Sequence, residues 1–511
     1  MSLITPSVEV QFSGTAGAWT DLTAAGDVVL TEGVTIRHGI DGSGPTDRVA
    51  TTGTLNFALR NDPTNSGGLL GYYSLYHANT RSGWGLGIGC RVRVTDPTTA
   101  IVHTRFVGRI DAINPLPGVS GPRIVLVTAV DWMDEAARWT LTPAIGEQIN
   151  RSWDQVLTDI LAQMPRQPTA VSFDAGAETY PYALDTSSAL NQPALAEFEK
   201  LASSEFGRIY QRANGTLRAE GRHYRMTAGP IGWLIADADL IGVEVPSTRD
   251  EIINHIHVTT HPKVVDSAAT TIVYRQANVL PIAAGASQLI IGQFRDPVTG
   301  DSIGATDVQA PVASTDYTGN TASNGSGTDV TTDLTITLSV GQNGVNVTVA
   351  NAGAATAYLT LFQLRGKGIY DRSAVQHEAT DATSIADHGE HDVDIDAPYQ
   401  GSDIVGQGAA DYLLLRYKNP FVQARTVTVA SKNTTIRSRI LEAEISDMIN
   451  VRESVTGINT DHFINGIELR FVGGTVLEAT LTLAPDNDPF MGLYWILGTS
   501  TLGTSTLLAP F

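Results

Sequence analysis

The residues best suited to chemistry in this chain are histidines and carboxylates gathered between positions 377 and 396. They are His377, Asp381, Asp387, His388, Glu390, His391, Asp392, Asp394 and Asp396. Imidazole and carboxylate groups ligate divalent cations, and His388-x-x-His391 beside alternating Asp would hold one if a single face gathered them. The spacing matches neither a zinc-protease helix nor a calcium-binding loop. Asp392, Asp394 and Asp396 fall on one side of a strand, so the run reads as an exposed or interface-facing acidic edge. His255, His257 and His261 form a second group. His255 and His257 share a strand face, and with no acidic partner nearby in sequence they read as structural.

Nucleophilic and phosphate-binding motifs are absent in any usable context. Gly42-Ser43-Gly44 and Asn324-Gly325-Ser326-Gly327 lie in polar loops without the strand, turn and helix that expose a nucleophilic serine. Gly85-x-Gly87-x-Gly89 opens a strand, so no helix N-terminus faces a phosphate there. A carboxylate pair for glycoside hydrolysis could assemble only in space, since nothing local favours one. No residue is therefore assigned a catalytic, cofactor-binding or metal-binding role, and the chain is expected to be no enzyme.

The elements that would position such groups are mostly strands. Only 17% of the 511 residues are charged, against 42% hydrophobic and 49 glycines, which fits a multidomain, turn-rich β protein. The formal charge of −20 argues against gripping nucleic acid through its phosphates; it is compatible with a wall past which DNA slides, but on charge alone acidity for solubility is the stronger reading. Cys90, the single cysteine, allows no intrachain disulfide and reads as a small buried filler. The N-terminus MSLITPSVEVQFSG has no signal-peptide pattern, and no apolar run is long enough to span a membrane. A soluble protein made in a cytoplasm is expected.

Strand alternation marks 8–12, 33–37, 54–59, 91–94, 102–110 and 124–130, which suggests a barrel or sandwich over 1–145. Between 54–59 and 91–94 runs a Gly/Tyr/Ser loop, 61–90, long enough to imply contact with another molecule. Residues 146–242 read as a small α+β unit. One helix is capped by Ser152 with Gln155 and stopped by Pro165; a second runs from Pro193 and is ended by Gly207. Asn214-Gly215 then signals a hairpin. Residues 265–365 are nearly free of Lys and Arg, alternate strongly at 332–340, 344–350 and 357–364, and read as an inserted β-sandwich. Within them, 315–331 reads as a mobile polar loop. A helix is expected over 407–418, stopped by Pro420, and strands at 424–430, 461–471 and 475–483 finish the chain.

The order of several motifs resembles the tail-tip hub, or minor tail, proteins of long-tailed bacteriophages. It begins with Val8-Glu9-Val10-Gln11-Phe12, Trp19-x-Asp21-Leu22-Thr23, Arg37-x-Gly39 and Gly53-Thr54-Leu55-Asn56-Phe57-Ala58-Leu59-Arg60-Asn61. Tyr72-Tyr73-Ser74, Arg91-Val92-Arg93-Val94, Phe106-Val107-Gly108-Arg109-Ile110 and Asp131-Trp132-Met133 follow. Next come the 198–207 segment feeding the Asn-Gly hairpin and Asn254-x-Ile256-x-Val258. Last are Ser384-x-x-x-His388-Gly389-Glu390-His391, Ala409-Ala410-Asp411-Tyr412-Leu413-Leu414 and Trp495-Ile496-Leu497-Gly498. Two positions depart from the pattern: Asn61-Asp62-Pro63 stands for Asn-x-Asp-Gly, and His388-Gly389-Glu390-His391 for Tyr-Gly-x-Arg.

The resemblance implies two β-barrel hub-type domains, 1–145 and 243–264 with 366–450. The α+β unit would lie between them, the sandwich 265–365 would be inserted, and 451–511 would complete the hub. It further implies a homotrimer at the virion tail tip that joins the hexameric tube to the central tip around a DNA channel. Its partners would be the distal tail protein, the tape-measure protein and central fibre or tip proteins, without sequence-specific nucleic-acid binding. Two alternatives stay within tails: a hexameric distal adaptor, or a receptor- or carbohydrate-binding protein using the insertion. A polysaccharide-degrading tail enzyme is the third.

Overall fold

The computed structural model describes residues 4–14, 17–118, 123–141, 148–184, 192–227, 232–246, 248–341, 343–473 and 476–486. The Trp495–Gly498 motif lies outside them. The protein is mainly β, with several sheets. In the strand Thr51–Arg60, alternation buries Leu55, Phe57 and Leu59 on one face, as the sequence pattern predicts.

That strand belongs to a 13-stranded sheet built from both ends of the chain. Its N-terminal part carries Pro6–Gln11, Gly89–Thr95, Val102–Leu116, Ile124–Val130, Thr51–Arg60 and Val34–Gly39 in hydrogen-bonded succession. Val34–Gly39 then pairs with Ile458–Val472 from Phe471↔Val34 to Gly466↔Gly39, and Val476–Pro485, Thr426–Ala430 and Leu240–Glu244 continue the order. One apolar core runs from Ile4 to Leu483. Among the described residues the strands do not close into hydrogen-bonded rings, because Val34–Gly39 spends its free edge on Ile458–Val472. The crossing explains the Arg37-x-Gly39 step. Gly39 has φ +121°, and a Cβ there would lie 2.4 Å from the Asn465 carbonyl oxygen. Arg105, almost fully buried, ties the two ends together by donating to the carbonyls of Leu441 at 2.9 Å and Ala443 at 2.8 Å.

In the α+β unit the helix Trp153–Gln163 buries Trp153, Val156, Leu157, Ile160 and Leu161, and Gln155 Oε1 accepts from the Ser152 N–H at 3.3 Å. The helix Ala194–Glu205 ends differently from the expectation. Phe206, not Gly207, takes the left-handed position, with φ 57°. Gly207 is required by closeness instead: a Cβ there would sit 2.4 Å from the Glu220 carbonyl oxygen and 2.8 Å from the Trp153 ring. The Arg208–Gln211 and Thr216–Glu220 strands pair around Asn214-Gly215 as expected. Only Gly215 has positive φ, so the turn spans four residues, 212–215, and is no two-residue primed turn.

Residues inserted after Lys263–Val265 have a separate core, including Val273, Phe294, Val347, Leu359 and Phe362. It lies between the three-stranded sheet Ser287–Gln293, Gly344–Asn351, Leu334–Val340 and strands paired along Ala357–Asp371. The polar 315–331 stretch is more ordered than its composition predicts. Tyr317–Asn320 pairs with Ala357–Asp371, and Asn320 side-chain atoms bond Ala322 and Gly327 across the turn.

His255–Thr260 is the middle strand of a separate three-stranded sheet, antiparallel to Val375–Thr380 and parallel to Asp392–Ala397. Ile256, Val258, Ala379, Ile395 and Ala397 face a core completed by the helix Asp403–Tyr417. That helix starts four residues before the expected 407, because Ser402 accepts from the Val405 N–H and Gly406 lets the first turn lie against His377.

Candidate functional sites

The 61–90 loop is irregular yet built around buried acceptors. Asp27, with none of its surface exposed, accepts from the Ser66 N–H at 2.6 Å, the Ser66 hydroxyl at 2.6 Å and the Tyr73 hydroxyl at 2.5 Å. Asn61 receives the Tyr73 N–H at 3.0 Å and donates to Ser74 Oγ at 2.8 Å. The Trp84 ring meets the Tyr73 ring edge-on at 5.1 Å, and its N–H reaches the Tyr73 carbonyl at 3.0 Å. Burial, and then the Asp27 carboxylate, push the Tyr73 hydroxyl well above its ordinary pKa, so it stays a donor. With its polar groups satisfied inward, the loop presents Leu69, Leu70, Leu86 and a 99% exposed Tyr76 to solvent.

Beside the loop, Glu9 accepts from Arg91 Nε at 2.7 Å and Arg93 Nε at 2.7 Å, while Arg91 lies 4.2 Å over the Trp19 ring. Burial raises the Glu9 carboxyl, but hydrogen bonds from Arg93, Arg91 and Ser7 outweigh it and hold it below the ordinary range. Cys90, the next strand residue, is fully buried, and burial pushes its thiol up.

The histidines and carboxylates do not form one cluster along the chain. His377 turns inward and shares a 2.9 Å hydrogen bond with Thr260. Asp381 caps the helix Ala382–His388, accepting from Ser384 N–H at 2.9 Å, and pairs with Lys418 at 2.9 Å. Asp392, Asp394 and Asp396 are exposed on an outer strand, as expected.

His255 and His257 have no acidic partner nearby in sequence, but strand pairing brings carboxylates to them in space. In the register, His257 stands opposite Glu378 on one side and Asp394 on the other, and His255 stands beside Asp392. His255 Nδ1 lies 2.7 Å from Glu390 Oε1 and its Nε2 lies 2.9 Å from Glu378 Oε1. Burial would lower the His255 pKa, but hydrogen bonds to Glu390 and Glu378 outweigh it and raise the group. The His255 and His257 rings are 4.1 Å apart between centroids. His261 pairs separately with Asp396 at 2.6 Å. The signal available in the sequence was the shared alternation of 255–260, 375–380 and 392–397, each with polar residues at every second place.

No protein-family model matches the chain, and no curated protein does. Solved structures do. The tail protein from Neisseria meningitidis MC58 aligns with TM-score 0.50 and 10% identity over 95% of this chain and 98% of that one. The 43 kDa tail protein of prophage MuSo2 from Shewanella oneidensis gives 0.47 and 9% over 94% and 98%. Prophage tail protein gp18 from Listeria monocytogenes EGD-e gives 0.43 and 11% over 96% and 95%. Across nearly its whole length, this chain shares the fold of the Neisseria tail protein.

Proposed function

We propose that this chain is a structural protein of a bacteriophage-type tail, acting by assembly and performing no chemistry of its own in that role. The observation that carries the reading is the fold shared with a tail protein across nearly the whole length of the chain. The ordered loop with outward Leu69, Leu70, Tyr76 and Leu86 supports it, since such a surface suits a second copy or a tail neighbour. Within the tail we assign it to the tip, as a homotrimeric hub whose barrel-like halves repeat around the axis. There it joins the hexameric tube to the central tip and surrounds the path of exiting DNA. Its partners are the distal tail protein, the tape-measure protein and central tip proteins.

Light scattering on the purified chain across a concentration series, with cryo-electron microscopy of assembled tails, tests this. Three copies at the tail tip are expected, and Tyr76→Asp with Leu70→Asp is expected to block assembly while the chain stays folded. Tails complete and infectious without the chain would refute the structural role. Six copies would convert the hub into a distal adaptor. A second reading, recognition of a host surface, rests on the separate core of the inserted unit.

A further inference from the structure

We infer that His255, His257 and Glu378 form a binding site for one borderline divalent cation, of which Zn²⁺ is the representative. Ligand atoms of the three side chains all lie within 4.8 Å of one another. They come from two neighbouring strands, His255 and His257 from the middle strand and Glu378 from its antiparallel partner. Their mutual placement is therefore fixed by backbone hydrogen bonds and not by flexible loops.

The donor set selects the metal class. Two imidazole nitrogens and one carboxylate suit Zn²⁺, Co²⁺ or Ni²⁺, whereas Ca²⁺ and Mg²⁺ prefer all-oxygen shells. Three protein ligands leave a position for water, and the face is open enough to admit it: the Glu378 side chain is 58% exposed. The register also brings Asp394 beside His257, a second carboxylate on the same face.

Two further features belong to a metal site more than to an ordinary charge pair. Glu390 takes the Nδ1 side of His255 at 2.7 Å, which leaves Nε2 directed at Glu378. A carboxylate holding the far nitrogen of a ligating imidazole is the usual outer support for a metal-bound histidine. His257 Nδ1 is buried and has no hydrogen-bond partner among the described residues, a cost that a structural histidine would be expected to avoid. Tetrahedral Zn²⁺ with bonds of about 2.0–2.1 Å needs donors about 3.4 Å apart. His255 Nε2 and Glu378 Oε1, 2.9 Å apart, are already closer than that, and rotation of the exposed Glu378 side chain opens the gap. The two histidine donors lie within 4.8 Å of each other.

The test uses the full chain stripped with a chelator and titrated with ZnCl₂ by calorimetry, with Co²⁺ as an optical probe of imidazole coordination. One equivalent is expected to bind. His257→Ala and Glu378→Gln are each expected to weaken binding at least tenfold, and the double variant His255→Ala/His257→Ala to abolish it. Glu390→Gln is expected to weaken affinity by about 10–100-fold while keeping one equivalent, the effect of losing outer support. His261→Ala, whose ring pairs with Asp396 instead, is expected to bind as the parent does. Metal-free circular dichroism and unfolding midpoints matching the parent show that each variant is folded. No binding by the parent, or equal binding by the folded double variant, would overturn the site. Neither result bears on the proposed role in a tail.

Discussion

Tyr73 reaches back across the chain to donate its hydroxyl to Asp27 at 2.5 Å, and Asp27 takes two more hydrogen bonds from Ser66. A long loop free of regular structure is thus fastened at two points to one buried carboxylate. Removing the acceptor strands several donors in a dry interior, while removing the Tyr73 hydroxyl leaves Asp27 one donor short and takes an acceptor from Arg81 Nη1, 2.8 Å away. Asp27→Ala is expected to cost about 3 kcal/mol and Tyr73→Phe about 1–2 kcal/mol in urea unfolding. Limited proteolysis should cut both variants first within 61–88. Resistance equal to that of the parent would show that the aromatic packing alone holds the loop.

The junction after the helix Ala194–Glu205 makes a second prediction. Gly207→Ala pushes a methyl into the Glu220 carbonyl and the Trp153 ring, where backbone cannot yield. A loss of about 2–3 kcal/mol is expected by chemical denaturation, as for overpacked cores. A change below about 0.5 kcal/mol would mean that the hairpin moves aside freely.

Two buried groups respond to pH with opposite signs. Burial raises the Asp131 carboxyl to about 7, only partly offset by hydrogen bonds from backbone. Its folded-state pKa exceeds the unfolded one, so its contribution is present in acid and is lost as pH rises through 7. Burial lowers His462 to about 4; its Nε2 accepts from the Ala424 N–H at 3.0 Å. That contribution is present above about 6.5 and is lost as pH falls through 4. Between these limits the two oppose each other. Relative to the parent, Asp131→Asn should lose stability on acidification from pH 7 to 4, and His462→Gln should gain it. Each differential slope is up to about 1.4 kcal/mol per pH unit. Urea titrations at several pH values read both, and parallel curves would reject the assignment.

The inserted unit should be separable. Val265 and Ile369 are register partners, so a two-residue turn can replace 266–368. The shortened chain is expected to keep the unfolding midpoint of the large sheet and to assemble as the parent does. Calorimetry and light scattering check this. If assembly survives but adsorption to host cells fails, the insertion carries recognition.

Local patterns carried much of the fold. The helix Trp153–Gln163 was legible because its apolar spacing, its Ser152 and Gln155 cap and Pro165 all agree. In the insertion, alternation marked Leu334–Val340, Gly344–Asn351 and the first half of Ala357–Asp371, but not Thr271–Arg275, Leu280–Ile282, Ser287–Gln293, Gly304–Thr306 or Tyr317–Asn320. What sequence spacing conceals is pairing between distant segments. His255 and Glu378 are 123 positions apart, so no motif search would join them, while the conspicuous run around His388 and His391 gives that imidazole one hydrogen-bonded side chain, Glu390. Composition likewise misread 315–331, whose Asn and Thr side chains close turns on themselves. At the end of the second helix, glycine marked a tight approach one residue beyond the left-handed turn.

The joining of Ile458–Val472 to Val34–Gly39 has a cost during synthesis. Asn465 and the Gly42 carbonyl, bonded in the finished sheet, are 423 positions apart. At about 5–20 residues per second, a ribosome leaves the early strand without its neighbour for roughly 20–80 s. Throughout that interval a nascent N-terminal portion carries a bare strand edge and half a greasy interior, the form most prone to aggregation. Truncated N-terminal fragments should therefore precipitate unless a chaperone or the missing tail end is supplied.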